Sequence, residues 1–253
     1  MTDPAPADRG WALVTGAGRR IGRALALAAA RADYDVVIHV RASLEDARET
    51  LGLVEALGRR GQCIAADLTD PDIGAQLIGG APGPVTLLVN CASLFEDDRI
   101  ETLSAEGFDA ALAANLRAPV LLAQAFAAAL PADREGLIVN ITDQRVWRLT
   151  PQFFSYTLSK AALWTATQTL AQALAPRIRV NAIGPGPTLA SVHQSPSDFA
   201  AEVAGVPLGR GAALEEIAGA LTYLIDAPSV TGQMIAVDGG QHLAWKTPDI
   251  IGD

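Results

Sequence analysis

Ala12-Leu13-Val14-Thr15-Gly16-Ala17-Gly18-Arg19-Arg20-Ile21-Gly22 is the stretch that decides the fold. A short apolar run enters a glycine-rich turn, and an Ala-rich helical pattern over Ile21–Arg31 follows at once. Glycine permits a tight turn and close backbone approach to a ligand, while a helix N-terminus adds free N–H groups and partial positive charge. The arrangement therefore suits a pyrophosphate. A glycine loop alone is equally compatible with an ordinary strand-to-helix turn. Its place on the first strand of a strand–helix–strand unit gives it weight.

Outward from this loop, apolar runs at Ala12–Val14, Val36–His39, Cys63–Ala65, Leu87–Asn90, Leu137–Ile141, Arg179–Ile183 and Met234–Val237 read as strands. Helical patterns fall between them at Ile21–Arg31, Leu44–Leu57, Asp72–Ile78, Glu106–Leu130, Phe154–Leu174 and Leu214–Ile225. The strands are continuously apolar rather than alternating, which predicts burial on both faces: an α/β, doubly wound, seven-stranded parallel sheet with helices on both faces. Residues 1–10 read as a flexible tail and 11–253 as a single domain. The irregular stretch 184–210 carries four Pro and four Gly. It follows a strand end, where open α/β sheets bind ligands, and is expected to be a substrate loop with a short helix near Asp198–Val203.

Composition excludes several function classes. With 19 Lys and Arg against 28 Asp and Glu, the formal charge is −9, and scattered cations argue against a nucleic-acid surface. Apolar stretches such as Val85–Val89 are far shorter than the roughly 20 residues a membrane span needs. Cys63 and Cys91 lie near the ends of strands read as buried, which favours core filling over a disulfide or metal site and implies a reduced, cytoplasmic setting.

The second strand ends in His39-Val40-Arg41-Ala42-Ser43, where an NAD site would typically show a carboxylate for the ribose 2′-hydroxyl. Arg41 can instead bond a 2′-phosphate bidentately, and Ser43 can add a hydroxyl, so NADPH is expected as cofactor. Arg19 is a second candidate cation. The third strand ends in Asp67-Leu68 and the fourth in Asn90-Cys91-Ala92-Ser93, on the edge that should face the adenine and the nicotinamide ribose. Asp67 reads equally well as an N-cap for the next helix. Further along, Tyr156 and Lys160 stand four apart at the opening of a helix, hence on one face. A nearby ammonium favours phenolate, so the pair is expected to trade protons closer to neutrality.

The Thr15–Gly22 loop, the Asn90 strand end, Tyr156 with Lys160, and Pro185-Gly186 after the sixth strand together resemble the short-chain dehydrogenase/reductase family, from about Trp11 to His242. The resemblance implies a single-domain Rossmann fold in which Tyr156 donates a proton, Lys160 binds the nicotinamide ribose and Asn115 belongs to a proton relay. It implies cofactor contacts from Gly16, Arg19, Arg20, Ile21, His39, Arg41, Ser43, Asp67, Leu68, Asn90, Ala92, Ser93, Pro185 and Gly186, besides Tyr156 and Lys160. A homotetramer is also implied, with Asp238–His242 resembling the segment that packs near a neighbouring site.

Two departures from the family pattern are informative. Arg20 stands where most members have glycine, and Asp143 where most have a serine that bonds a substrate carbonyl. An ionised carboxylate cannot donate to a carbonyl oxygen and repels negative charge building there, whereas it suits protonation of a basic C=N nitrogen. Both departures, with Phe95 after the fourth strand, resemble the pteridine reductases. The implied substrate is a pterin or folate stacked on Phe95 and held by Arg20, Ser93, Asp143 and Tyr156, with no metal; which ring side chain is preferred stays open. Two other readings also stay open: a reductase of another imine or ketone, and a non-catalytic NADPH-sensing module.

Overall fold

A computed structural model describes residues 9–190 and 194–244. Seven strands, β1 (Trp11–Thr15), β2 (Asp35–Val40), β3 (Gly61–Ala65), β4 (Val85–Asn90), β5 (Gly136–Ile141), β6 (Ile178–Pro185) and β7 (Met234–Val237), form one parallel sheet in the order 3-2-1-4-5-6-7. The chain winds outward from β1 to β3, then returns to lay β4 on β1's other side. That reversal opens a crevice at the carboxyl ends of β1 and β4.

Side chains alternate across the pleat, and both sides are covered. Ala12, Val14, Val36, Ile38, Leu87, Val89 and Val139 join one core cluster, while Leu13, Val37, Leu88 and Ile138 join the other. Helices α1 (Arg20–Arg31), α2 (Leu44–Ala56) and α8 (Leu214–Asp226) bury their apolar stripes in the first. Helices α3 (Ile73–Gly79), α5 (Ala118–Ala129) and α6 (Phe154–Leu174) contribute to the second. This two-sided burial is why the strands read as unbroken apolar runs.

Some expectations need correction. Edge strand β3 is half-buried, so Cys63 is only partly enclosed; both cysteines are free thiols. Gly184 and Pro185 belong to β6 rather than to the loop, because Pro185 continues the pairing with Val237. The short helix α7 runs Pro196–Ala204, started by a capping box between Ser195 and Asp198. Residues 1–8 of the expected tail lie outside the described residues. Gly10 is buried, and its carbonyl accepts from Asp35 N at 3.2 Å.

The expected helix Glu106–Leu130 is α4 (Ala105–Leu112) and α5 joined by a π-helical turn, Ala113–Arg117. Pro119, in the first turn of α5, has no N–H to give the carbonyl of Asn115, its α-helical partner four residues back. The wider π turn accommodates that missing bond. The joined run of 25 residues is long and apolar enough to cross a membrane by length and composition, but Ala118, Leu122 and Phe126 are fully buried in the core.

Candidate active site

The glycine loop is shaped from behind. Buried Thr50 donates to the carbonyls of Ala17 and Gly18 (3.1 and 3.0 Å), and Arg23 also reaches Gly18 O, at 2.7 Å. Gly16 N and Ala17 N are bonded to His39, so the groups available to an anion are the N–H groups that follow, at the start of α1. Gly16 has φ 68°, and a Cβ there would meet Ala92 Cα at 2.9 Å; a Cβ on Gly22 would meet Gly16 O at 2.1 Å. Both glycines are required by close backbone approach. Motif reading missed Thr50 and Arg23, which follow no spacing rule.

His39, expected among the cofactor contacts, is instead a structural clip. It is 1% exposed; its Nδ1 accepts from Gly16 N at 3.3 Å, so Nε2 carries the hydrogen and donates to Ala66 O at 3.1 Å. Burial lowers its pKa, which keeps the ring neutral. Arg41 and Ser43 are exposed just past β2, and Arg19 is exposed at the N-cap of α1. Asp67 is exposed and accepts from Thr69 N and Oγ1, both at 2.8 Å; these bonds, more than the Arg41 charge, hold its carboxyl below the usual range. Its N-cap reading fails, because α3 begins only at Ile73. Leu68 is buried in the second core cluster and Ile21 is half-buried in the first turn of α1.

Arg20 departs from expectation as well. It has φ 53°, the left-handed region that explains why glycine is usual here, and its guanidinium donates to Leu189 O and Ala190 O, both at 3.0 Å. Those hydrogens tie the glycine loop to the segment that follows β6 rather than pointing at an anion. Asn90, expected at the cofactor edge, is 3% exposed and donates to Asn140 Oδ1 at 2.8 Å, while Asn140 donates to Thr167 of α6 at 2.9 Å. The side chain staples sheet to helix, and its Oδ1 is left without a hydrogen bond.

Beyond β4, the Thr15 hydroxyl accepts from Cys91 N (2.9 Å) and Ala92 N (3.0 Å). Asn115, reached through the π turn, accepts from Ser93 Oγ and Leu94 N and donates to Leu94 O and to Ser159 Oγ. Its side chain is therefore occupied in fastening this loop to α6. On the far side, Gly186 N donates to Val237 O at 3.0 Å, and a Cβ on Gly186 would meet Asp238 at 2.7 Å, which fixes how Pro185-Gly186 leaves the sheet.

Tyr156 and Asp143 meet directly. The phenol donates to Asp143 Oδ2 at 2.8 Å, and the same carboxylate accepts from Arg145 N (2.8 Å) and from the Arg145 guanidinium (3.3 Å). Asp143 lies two residues beyond β5 and caps a 3-10 turn, Gln144–Val146, accepting from Arg145 N. Phe95 stacks on Phe153, centroids 4.3 Å apart and 11° between planes, and meets the Tyr156 ring edge-on at 4.6 Å. The Arg145 guanidinium lies 5.4 Å from the Phe153 centroid and 5.9 Å from that of Phe95. Phe153 and Arg145 were not singled out in the sequence, because only the fold brings them to Phe95.

The expectation of a readily ionised Tyr156 is reversed. Burial, then the Asp143 charge and its hydrogen bond, push the phenol well above its ordinary value, and Arg145 only partly offsets them. Lys160 lies 5.7 Å from the tyrosine centroid and spends a hydrogen on Ile141 O at 2.7 Å. Burial pulls the ammonium down to about 8, and beside it burial pushes the Cys91 thiol up to about 12.

A depressed lysine binds fewer protons folded than unfolded between about pH 8 and 10.5, so stability rises through that window and the full penalty is present below it. At about 1.4 kcal/mol per pKa unit, wild type should gain about 2–3 kcal/mol on Lys160→Met between pH 8 and 10. Urea unfolding at both pH values reads this; equal pH slopes for the two proteins would remove the buried ammonium as its source.

Residues 16–242 match the family described as enoyl-(acyl carrier protein) reductase. Among solved structures, FolM alternative dihydrofolate reductase 1 from Brucella suis, in complex with NADP, is 50% identical, with TM-score 0.90 over 95% of this chain and 98% of that one. A short-chain dehydrogenase from Burkholderia cenocepacia with NADP is 32% identical, with TM-score 0.83 over 92% and 98%. Among curated proteins, L-xylulose reductase from Bos taurus is 35% identical over 90% of this chain and 95% of its own length.

Proposed function

The chain belongs to the short-chain dehydrogenase/reductase family of oxidoreductases, and from that premise we propose that it is an NADPH-dependent reductase of the pteridine ring, taking a dihydropterin or dihydrofolate to the tetrahydro form. The observation that carries the reading is the 2.8 Å bond from the Tyr156 phenol to Asp143, a carboxylate where carbonyl reduction asks for a hydrogen-bond donor. The similarity to a FolM alternative dihydrofolate reductase supports it.

The cofactor fits the residues present. A tight glycine turn held by close backbone approach at Gly16 and Gly22, inward carbonyls at Ala17 and Gly18, and exposed Arg19, Arg41 and Ser43 suit a pyrophosphate and a 2′-phosphate. When bound, NADPH supplies the hydride. Arg41→Ala should weaken NADPH binding about tenfold or more, the worth of one lost charge-assisted contact, and leave NADH nearly unchanged. Titration of nucleotide fluorescence checks this, and equal weakening would remove the phosphate assignment.

The chain's own residues handle the proton. Protonating a C=N nitrogen builds positive charge that the Asp143 carboxylate stabilises, whereas reducing a carbonyl builds negative charge that it opposes. Tyr156, a weak acid beside that carboxylate, holds a proton that a basic ring nitrogen can accept. Lys160, fixed to Ile141 O, supplies a cation behind the tyrosine. A flat ring joining the Phe153–Phe95 stack gains about 0.5–1.5 kcal/mol beyond its burial, and in this reading its polar edge meets Ser93, whose hydroxyl can still accept while donating to Asn115, and the Arg20 N–H groups not spent on Leu189 O and Ala190 O.

Loss of NADPH absorbance with a panel of dihydropterins and dihydrofolate, against a ketone and a cyclic imine, tests the reading. Turnover of a pterin with ketone inert supports it; turnover of ketone or another imine alone would replace it with the broader reductase reading, and no turnover of any kind with NADPH retained would leave a binding module. The reading includes a cytoplasmic homotetramer assembled through α4–α5 and α6, which sedimentation of the purified protein tests for its assembly state.

A further inference from the structure

Residues 91–104 join β4 to α4 without helix or strand, yet they carry Ser93, Leu94 and Phe95. Asn115 holds the near half of this loop at Ser93 and Leu94. The far half is held by Asp98, a residue outside every motif considered above. Its carboxylate accepts from Ser155 N at 3.0 Å (Oδ1) and 3.3 Å (Oδ2) and from Ser155 Oγ, while its carbonyl accepts from Phe154 N at 3.1 Å.

These are the first N–H groups of α6, the helix that carries Tyr156 and Lys160. A helix start leaves its first N–H groups without internal partners, and the usual remedy is a polar side chain at the preceding residue. Here that residue is Phe153, which has φ 52° and a side chain with no acceptor atom. Ser155 is 4% exposed, so water is no substitute. A carboxylate brought in from another segment satisfies the bonds and complements the positive end of the helix.

We propose that Asp98 is a positioning residue that caps the catalytic helix from outside it and thereby fixes Phe95 and Tyr156 as one unit. The connections close a ring: Phe95 to Asp98 along the loop, Asp98 to Ser155 by hydrogen bonds, Ser155 to Phe153 along the chain, and Phe153 back to Phe95 by stacking at 4.3 Å. Asn115 adds a second pin at Ser159, one helical turn beyond Ser155 on the same face. The stacking surface and the proton donor thus keep their edge-on contact of 4.6 Å through two anchors rather than through regular structure.

The role of Phe95 in substrate binding rests on the pteridine reading, so the first test needs no substrate. In the full-length protein, amide hydrogen exchange over 93–98 and 153–157 should accelerate about tenfold in Asp98→Ala, the scale of a lost cap, with 15–22 unchanged. Asp98→Asn keeps an acceptor and should restore most of the protection; it also carries the test should the alanine variant fold poorly. Acceleration confined to 153–157, or none, would overturn the coupling. Where wild type turns over a dihydropterin, Asp98→Ala should raise KM more than it lowers kcat, and that KM effect should vanish in a Phe95→Leu background. An effect that persists there would also overturn it. A wild type inactive on pterins refutes the substrate reading alone, since the exchange result stands apart from it.

Discussion

Tyr156→Phe should lower turnover by about 10²–10⁴-fold, the usual contribution of a positioned proton donor, while NADPH binding should stay within about threefold. The substitution removes one oxygen that donates to Asp143 Oδ2 at 2.8 Å and keeps the ring that packs against Phe95. Binding and the aromatic cluster therefore survive while the proton is lost. The checks are steady-state kinetics and nucleotide fluorescence on the same preparation; turnover within about threefold of wild type would transfer the donor role away from Tyr156.

Asp143→Asn is the companion result, with pterin turnover expected to fall about 10²–10³-fold, the scale of one removed transition-state electrostatic contact, and NADPH binding retained. Its pH dependence has a definite sign. In the proposed reading Tyr156 is the proton donor and is active while protonated, so activity should fall as pH rises through its pKa. In wild type, burial and the Asp143 charge hold that pKa well above the ordinary value, which keeps the tyrosine-dependent fall beyond about pH 10. Neutralising Asp143 removes both the repulsion and the carboxylate acceptor, while Arg145 and its positive charge remain, so the basic fall moves to lower pH. A kcat profile carried from pH 7 to about pH 11 for both proteins reads this. An unchanged basic limb with unchanged turnover would remove Asp143 from the mechanism.

The two variants distinguish donor from electrostatic partner. Loss of Tyr156 removes the proton at every pH, whereas loss of Asp143 leaves a phenol that ionises more easily beside an uncompensated Arg145. Nearby residues that share one network give non-additive effects, so the double variant should cost little more than Tyr156→Phe alone.

The amino-acid sequence by itself determined the layered architecture. Unbroken apolar runs such as Val36–Ile38 and Leu87–Val89 have one stable solution, burial under helices on both faces, and the pattern of runs and helices orders the strands along the chain. It also determined the groups with chemistry bound to local spacing: Gly22, where a Cβ would collide with the carbonyl of nearby Gly16, and the i, i+4 relation of Tyr156 and Lys160. Long-range contacts carry no such local signature, and these only the tertiary structure decided. The sense of the Tyr156 shift follows from a carboxylate 13 residues away arriving 2.8 Å from its hydroxyl, and from burial that no local pattern encodes. His39 turned from ligand contact to neutral clip because β3 brings Ala66 O to its other nitrogen. Arg20 turned toward Leu189 and Ala190 because these residues, about 170 positions away, offer two carbonyls. Asp98 caps a helix 56 positions further along the chain, counting to Phe154, because α6 lacks a cap of its own. Each of these depends on a distance between segments that the chain sets only when the sheet closes over its helices, and hydrogen bonds and charges act across that distance rather than along the sequence.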